Sequence, residues 1–198
     1  INCKSFGEAF RGNASFKKIT LDITSVENDP EYYSSYQGLG STFTSCHNLT
    51  EVYLKGIPSK PFSMRHTFNY CKQLTKVTSD VATLKPTDMS YAFEKCTILE
   101  TIPNIDFSEC TRVTGMFYDC KKIKNNIELY DFRYAVDMTN TFRNCWEFTE
   151  INLAGTENIE CFNRGFNACK NLERITGLDI TSGKFENKYS EYMFNSCS

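Results

Sequence analysis

Asp88-Met89-Ser90-Tyr91-Ala92-Phe93-Glu94-Lys95-Cys96-Thr97-Ile98-Leu99-Glu100-Thr101-Ile102 is the stretch on which the fold turns. Within it, Met89 lies four residues before Phe93, Cys96 three after it, Leu99 three further on and Ile102 three beyond that. The core of this pattern, Phe-x-x-Cys, occurs seven times, at Phe43/Cys46, Phe68/Cys71, Phe93/Cys96, Phe117/Cys120, Phe142/Cys145, Phe166/Cys169 and Phe194/Cys197. Successive cysteines are 25, 25, 24, 25, 24 and 28 residues apart. A fixed period of this length is the signature of a repeat architecture, in which no single unit can bury its own apolar face.

The flanking positions repeat as well. Leu39, Met64, Met89, Val113, Met138 and Phe162 precede the phenylalanines by four residues. Leu49, Leu74, Leu99, Ile123, Phe148 and Leu172 follow the cysteines by three, and Val52, Val77, Ile102, Ile151 and Ile175 by six. Apolar residues at i, i+4 and i+7 predict a short helix in each repeat. Asp88, Asp137 and Ser63 stand where N-caps would accept its first amides. The alternation in Val52-Tyr53-Leu54 and Ile151-Asn152-Leu153 predicts a short strand with one buried face. An eighth, degenerate copy opens the chain, with Asn13 in place of the cysteine. The segment from Cys120 to Ile127 is one residue longer than its counterparts, which predicts a bulge or a shifted register.

The expected fold is therefore an α/β solenoid of about eight 24–25-residue coils, with a parallel sheet on one side and short helices on the other. It forms a single domain over residues 1–198. A degenerate capping coil occupies 1–40, a loop is inserted at 26–38, and regular coils run through 41–198. The chain starts at Ile1 and stops at Cys197-Ser198 in mid-repeat, so it is expected to be a piece of a longer protein.

The run Ile105-Asp106-Phe107-Ser108 through Val113-Thr114-Gly115-Met116-Phe117-Tyr118-Asp119-Cys120 resembles the BspA-type leucine-rich repeat. So do Asp88–Phe93 and the twin Leu-Asp-Ile-Thr-Ser runs at 21–25 and 178–182. The resemblance covers nearly the whole chain. It implies a leucine-rich-repeat fold and a surface-exposed or secreted bacterial protein, as in Bacteroidetes, that works in adhesion and protein binding. It carries no residue-by-residue functional motif.

Composition narrows the classes. Of the 198 residues, 40% are hydrophobic and 14% aromatic, which fits a packed domain and not a disordered one. No apolar run is long enough to insert in a membrane. With 22 basic and 24 acidic residues there is no basic footprint for nucleic acid. Gly-rich phosphate loops, nucleophile elbows and His-Glu-x-x-His motifs are missing. With two histidines and no Cys-x-x-Cys, neither a metal site nor a cofactor is expected. The sequence thus favours a non-enzymatic molecule.

Ten cysteines still need an account. Cys46, Cys71, Cys96, Cys120, Cys145, Cys169 and Cys197 share one repeat position, so they are expected to form a structural ladder of small buried thiols. Disulfides between neighbouring coils are the alternative, which seven equivalent sites cannot satisfy evenly. Cys3, Cys110 and Cys161 lie outside the ladder and are candidates for a reactive thiol, which would make a thiol-dependent enzyme the least favoured reading.

Binding is expected on the outward strand face. One row is Thr20, Tyr53, Thr78, Pro103, Glu128, Asn152 and Thr176; the row beside it is Lys18, Glu51, Lys76, Thr101, Asn126, Glu150 and Arg174. The candidate contacts are Glu51, Tyr53, Lys76, Thr78, Asn126, Glu128, Glu150, Asn152 and Arg174. Tyr32, Tyr33 and Tyr36 of the inserted loop would add rigid aromatic contact area, or would cap the end of the core. The mixed charge of the strand-face rows disfavours a polyanion. The expected partner is a protein or glycan, host extracellular matrix included. The alternative is a spacer that holds another domain and has no ligand.

Overall fold

The computed structural model describes residues 3–28, 37–58, 60–124, 127–179 and 190–197. The repeats stack on one another at the expected period, but no α-helix forms among these residues. The one helical segment described is a three-residue 3₁₀ turn, Thr156–Asn158.

The strands are short and pair in parallel. The first sheet holds β1 (Lys18–Asp22), β2 (Glu51–Lys55) and β4 (Lys76–Ser79), in that order. A second joins β3 (Phe62–Ser63) to β5 (Pro86–Asp88), and a third runs β6 (Tyr130–Asp131), β7 (Glu150–Ala154), β8 (Arg174–Thr176). Three small separate sheets replace the continuous sheet of an α/β leucine-rich-repeat solenoid, and that fold expectation is corrected. One cause lies in the strand row itself. Beyond the single bridge from Lys76 to Thr101 comes Pro103, which has no amide to donate to a ladder. The register also shifts. Cys120 to Tyr130 spans ten positions, whereas Cys145 to Leu153, which pairs with Tyr130, spans eight.

Each predicted helix is a run of consecutive turns. In the repeat at 89–96, the amides of Ala92, Glu94 and Cys96 bond to carbonyls three residues back, those of Met89, Tyr91 and Phe93. The alternate amides, Met89, Tyr91, Phe93 and Lys95, reach across to the next repeat, to the carbonyls of Arg112, Thr114, Met116 and Tyr118. This half-and-half pattern requires a positive φ two residues before and two after each core phenylalanine. Ser41/Ser45, His66/Tyr70, Tyr91/Lys95, Gly115/Asp119, Asn140/Asn144 and Arg164/Ala168 all have it. The expected N-caps are instead Asx and Ser turns. Asp88, Asp137 and Ser63 accept the amides of Ser90, Thr139 and Arg65 at 2.8, 2.7 and 3.1 Å.

Pitch explains why turns displace helices. Neighbouring strands sit about 4.8 Å apart, whereas packed helices need about 8–10 Å. Turn runs that share hydrogen bonds across repeats keep the two sides in step. The core phenylalanines, Phe10, Phe43, Phe68, Phe93, Phe117, Phe142, Phe166 and Phe194, follow the same short pitch, with ring centroids 5.4–6.1 Å apart. Most of these rings are fully buried, and each contributes about 1.5–3 kcal/mol of burial free energy.

The cysteine column completes the stack. All ten cysteines are free thiols. Each ladder thiol donates to the carbonyl of the core phenylalanine one repeat earlier: Cys71 to Phe43, Cys96 to Phe68 and Cys120 to Phe93, at 3.0, 3.1 and 2.9 Å. The same holds for Cys46, Cys145, Cys169 and Cys197. Asn13, in the corresponding place, acts as an acceptor: its Oδ1 takes the amides of Ser15 and Phe16.

Candidate functional site

The strand-face residues fall into two groups, because the sheet is interrupted between them. In the first, parallel register sets Lys18 beside Glu51 and Glu51 beside Lys76, and, one row over, Thr20 beside Tyr53 and Tyr53 beside Thr78. The buried residues Val52, Leu54 and Val77 anchor the strands from the other face. Above them lies a shallow groove of about 280 Å³, lined by Lys18, Thr20, Glu51, Tyr53, Lys76 and Thr78. Lys18 pairs with Glu51 at 2.6 Å. Lys76 has no ion pair among the described residues, and Tyr53 is 38% exposed.

The second group is closed on itself. Arg174 pairs with Glu150 at 2.5 Å, and Thr176 donates to Asn152 Oδ1 at 2.7 Å. The Asn152 amide in turn donates to the Glu128 carbonyl at 3.2 Å. Glu128 itself lines a separate hollow of about 410 Å³ with Asp106 and Asp131. Asn126, Tyr32, Tyr33 and Tyr36 lie outside the described residues. The candidate contacts therefore fall into two sets, with Glu51, Tyr53, Lys76 and Thr78 around the groove and Glu150, Asn152 and Arg174 engaged with one another or with neighbouring repeats.

The turn side carries a cluster that sequence inspection missed. Lys95 Nζ donates to Tyr70 Oη at 2.6 Å and stands 4.4 Å over that ring. It also approaches Tyr118, whose ring carries Arg143 at 4.9 Å. Asn69 donates to Glu94 and Asn144 to Asp119, at 2.7 and 2.6 Å. Burial raises the Glu94 carboxyl above its ordinary value, and the Tyr70 hydrogen bond raises the Lys95 ammonium. Trp146 lies between Lys121 and Lys170, at 4.7 and 3.9 Å. These contacts run between repeats and staple the stack. The signal that could have found them is the recurrence of Tyr70, Lys95 and Asp119 two residues after a core phenylalanine, a relation hidden by the helical reading.

The remaining thiols differ. Cys110 is buried, and burial pushes its thiol up to about 12. Cys161 is half-buried, with Sγ 3.1 Å from Thr139 Oγ1. Cys3 is half-buried near the start of the chain. Burial likewise raises the thiols of Cys71, Cys96, Cys120 and Cys145 well above the ordinary range. No group of three or more His, Cys, Asp or Glu among the described residues could hold a metal ion, and no described helix is long and apolar enough to cross a membrane.

Comparison with known proteins overturns the expected kinship. The family described as "Mycoplasma protein of unknown function, DUF285" matches residues 62–179, which is 118 of the 198 residues. The BspA-type leucine-rich-repeat assignment is corrected accordingly, and the cell-surface or secreted location loses the resemblance it rested on. No curated protein and no solved structure matches the chain.

Proposed function

The chain belongs to the DUF285 family, whose description assigns no function, and from that premise we propose that it is a non-enzymatic module that binds a protein or glycan ligand. One observation carries the proposal. On β1, β2 and β4 an exposed aromatic ring and an ammonium free of ion pairs among the described residues border a groove. The comparable side chains on β7 and β8 are paired with one another. Rigid repeats that present in-register side chains are suited to extended recognition.

Two further features support a binding role over a thiol enzyme. The Cys110 thiol, pushed up to about 12, is almost wholly protonated at neutral pH. The ladder thiols are engaged as donors inside the core. The spacer reading draws support from the turn side, where Lys95, Asn69 and Asn144 bond to Tyr70, Glu94 and Asp119 of neighbouring repeats.

The test is a screen of the folded chain against a glycan array and a panel of extracellular-matrix proteins, with the Tyr53→Ala plus Lys76→Ala variant alongside. A saturable hit that the double variant loses supports the proposal. A hit that the variant retains removes the strand face, and silence on both panels favours the spacer.

A further inference from the structure

We infer that the groove over β1, β2 and β4 takes a singly charged acidic pyranose, its ring against Tyr53 and its carboxylate at Lys76. The inference rests on the proposed binding role and assigns its ligand class.

Shape is the first ground. Parallel register places Thr20 and Thr78 on either side of Tyr53, each about 4.8 Å away along the sheet. Tyr53 is the largest side chain of its row and has a threonine on each flank. The C–H face of a pyranose covers such a ring, and its hydroxyls meet the threonines.

Size is the second. The groove of about 280 Å³ is roughly nine times the 30 Å³ share of a liquid water, which is room for one or two sugar rings. A standard protein partner would bury about 800 Å² on this side around an apolar centre. The one large hydrophobic side chain exposed on these strands is Tyr53.

Charge is the third. Glu51 is engaged by Lys18 at 2.6 Å, so the row Lys18, Glu51, Lys76 leaves one positive charge, located at Lys76. A single carboxylate complements it. A second closely spaced anionic group would meet Glu51, which excludes dense polyanions.

The experiment titrates the isotope-labelled chain, followed by amide and side-chain NMR shifts, with a glucuronate-terminated disaccharide and with its neutral glucose counterpart. The acidic sugar should bind about two- to fivefold tighter, as expected for one partly screened ion pair. That preference should vanish in Lys76→Gln, and Tyr53→Ala should lose both sugars while unfolding at the wild-type temperature. Equal binding of the two sugars, or a preference that survives in Lys76→Gln, overturns the inference. So does failure of both sugars to saturate. If a protein ligand from the panels is lost on changing Tyr53 and Lys76 while both sugars fail, the sugar inference falls and the binding role stands. Silence from sugars and panels together removes both.

Discussion

Replacing Cys96 by alanine and by serine separates two explanations of the cysteine column. Cys96 is fully buried, and its Sγ donates to the Phe68 carbonyl at 3.1 Å. The same carbonyl accepts the Cys71 amide at 3.0 Å. Removing the thiol therefore leaves the carbonyl one donor, and the lost bond costs only about 0.5–1 kcal/mol. Losing the sulfur also removes roughly a methylene's worth of burial, about 0.8 kcal/mol, and leaves a small void. Cys96→Ala should thus cost about 1.5–2 kcal/mol. Cys96→Ser keeps a donor within reach of Phe68 and should cost about 1 kcal/mol or less. Were the column merely small and apolar, the order would reverse, since an idle buried hydroxyl costs about 1–3 kcal/mol. Equilibrium urea unfolding reads the difference. With a slope of about 2 kcal/mol/M, each kcal/mol moves the midpoint by about 0.5 M at constant slope. A serine variant less stable than the alanine variant by 1 kcal/mol or more would refute the donor role.

Other consequences are equally direct. Gly115 has φ +60°, and an added Cβ would lie 2.5 Å from the Tyr91 ring, which stacks on His66 at 4.9 Å. Gly115→Ala should cost about 2 kcal/mol from backbone strain plus ring displacement. Part of this should return in the double variant with Tyr91→Ala; a thermal midpoint within about 1 °C of wild type would count against it. Asp106 has its carboxyl lowered to about 2 by the Ser108 hydroxyl and Lys85. Because the folded value is depressed, its stabilisation is present above about pH 4 and is lost as pH falls through 2. After allowance for screening it amounts to about 1–2 kcal/mol. Asp106→Asn should flatten the acid limb of stability between pH 5 and about pH 2, and an unchanged limb would exclude the assignment. With Ellman's reagent at pH 8, Cys3 and Cys161 should react in the native state, while Cys96, Cys120 and Cys145 react only after unfolding, and peptide mapping of labelled sites tells them apart. Fast labelling of Cys96 in the native state would show that the core opens.

Part of the architecture was legible in the residues alone. Equal spacing of Phe43, Phe68 and Phe93 implied equivalent places in successive repeats, and those rings do stack. Val52, Val77 and Tyr53 alternated as a half-buried strand does, and β2 and β4 pair in the register that alternation implies. The helix was not legible as an error. Met89, Phe93 and Cys96 at i, i+4 and i+7 fit one helical face, but the same three positions point inward from a run of turns. Side-chain spacing reports which residues face the core, not which partner each amide chooses. Of the candidate contacts, Tyr53 and Lys76 came together in the groove, while Asn152, Glu150 and Arg174 were consumed by pairing across repeats. That pairing depends on neighbours about 24 residues away, whose height on the stack no local pattern records.

By itself the sequence determined the period, the buried column of phenylalanine and cysteine, and the inward and outward faces of the strands. Each follows from burial, which acts on every repeat alike and so leaves a mark at a constant interval. Only the tertiary structure decided that turns take the place of helices, that the strands divide into three small sheets, and that the thiols serve carbonyls one repeat away. Those outcomes depend on hydrogen bonds between repeats, and at a pitch near 5 Å a backbone that shares its donors with the next repeat packs where a self-satisfied helix cannot.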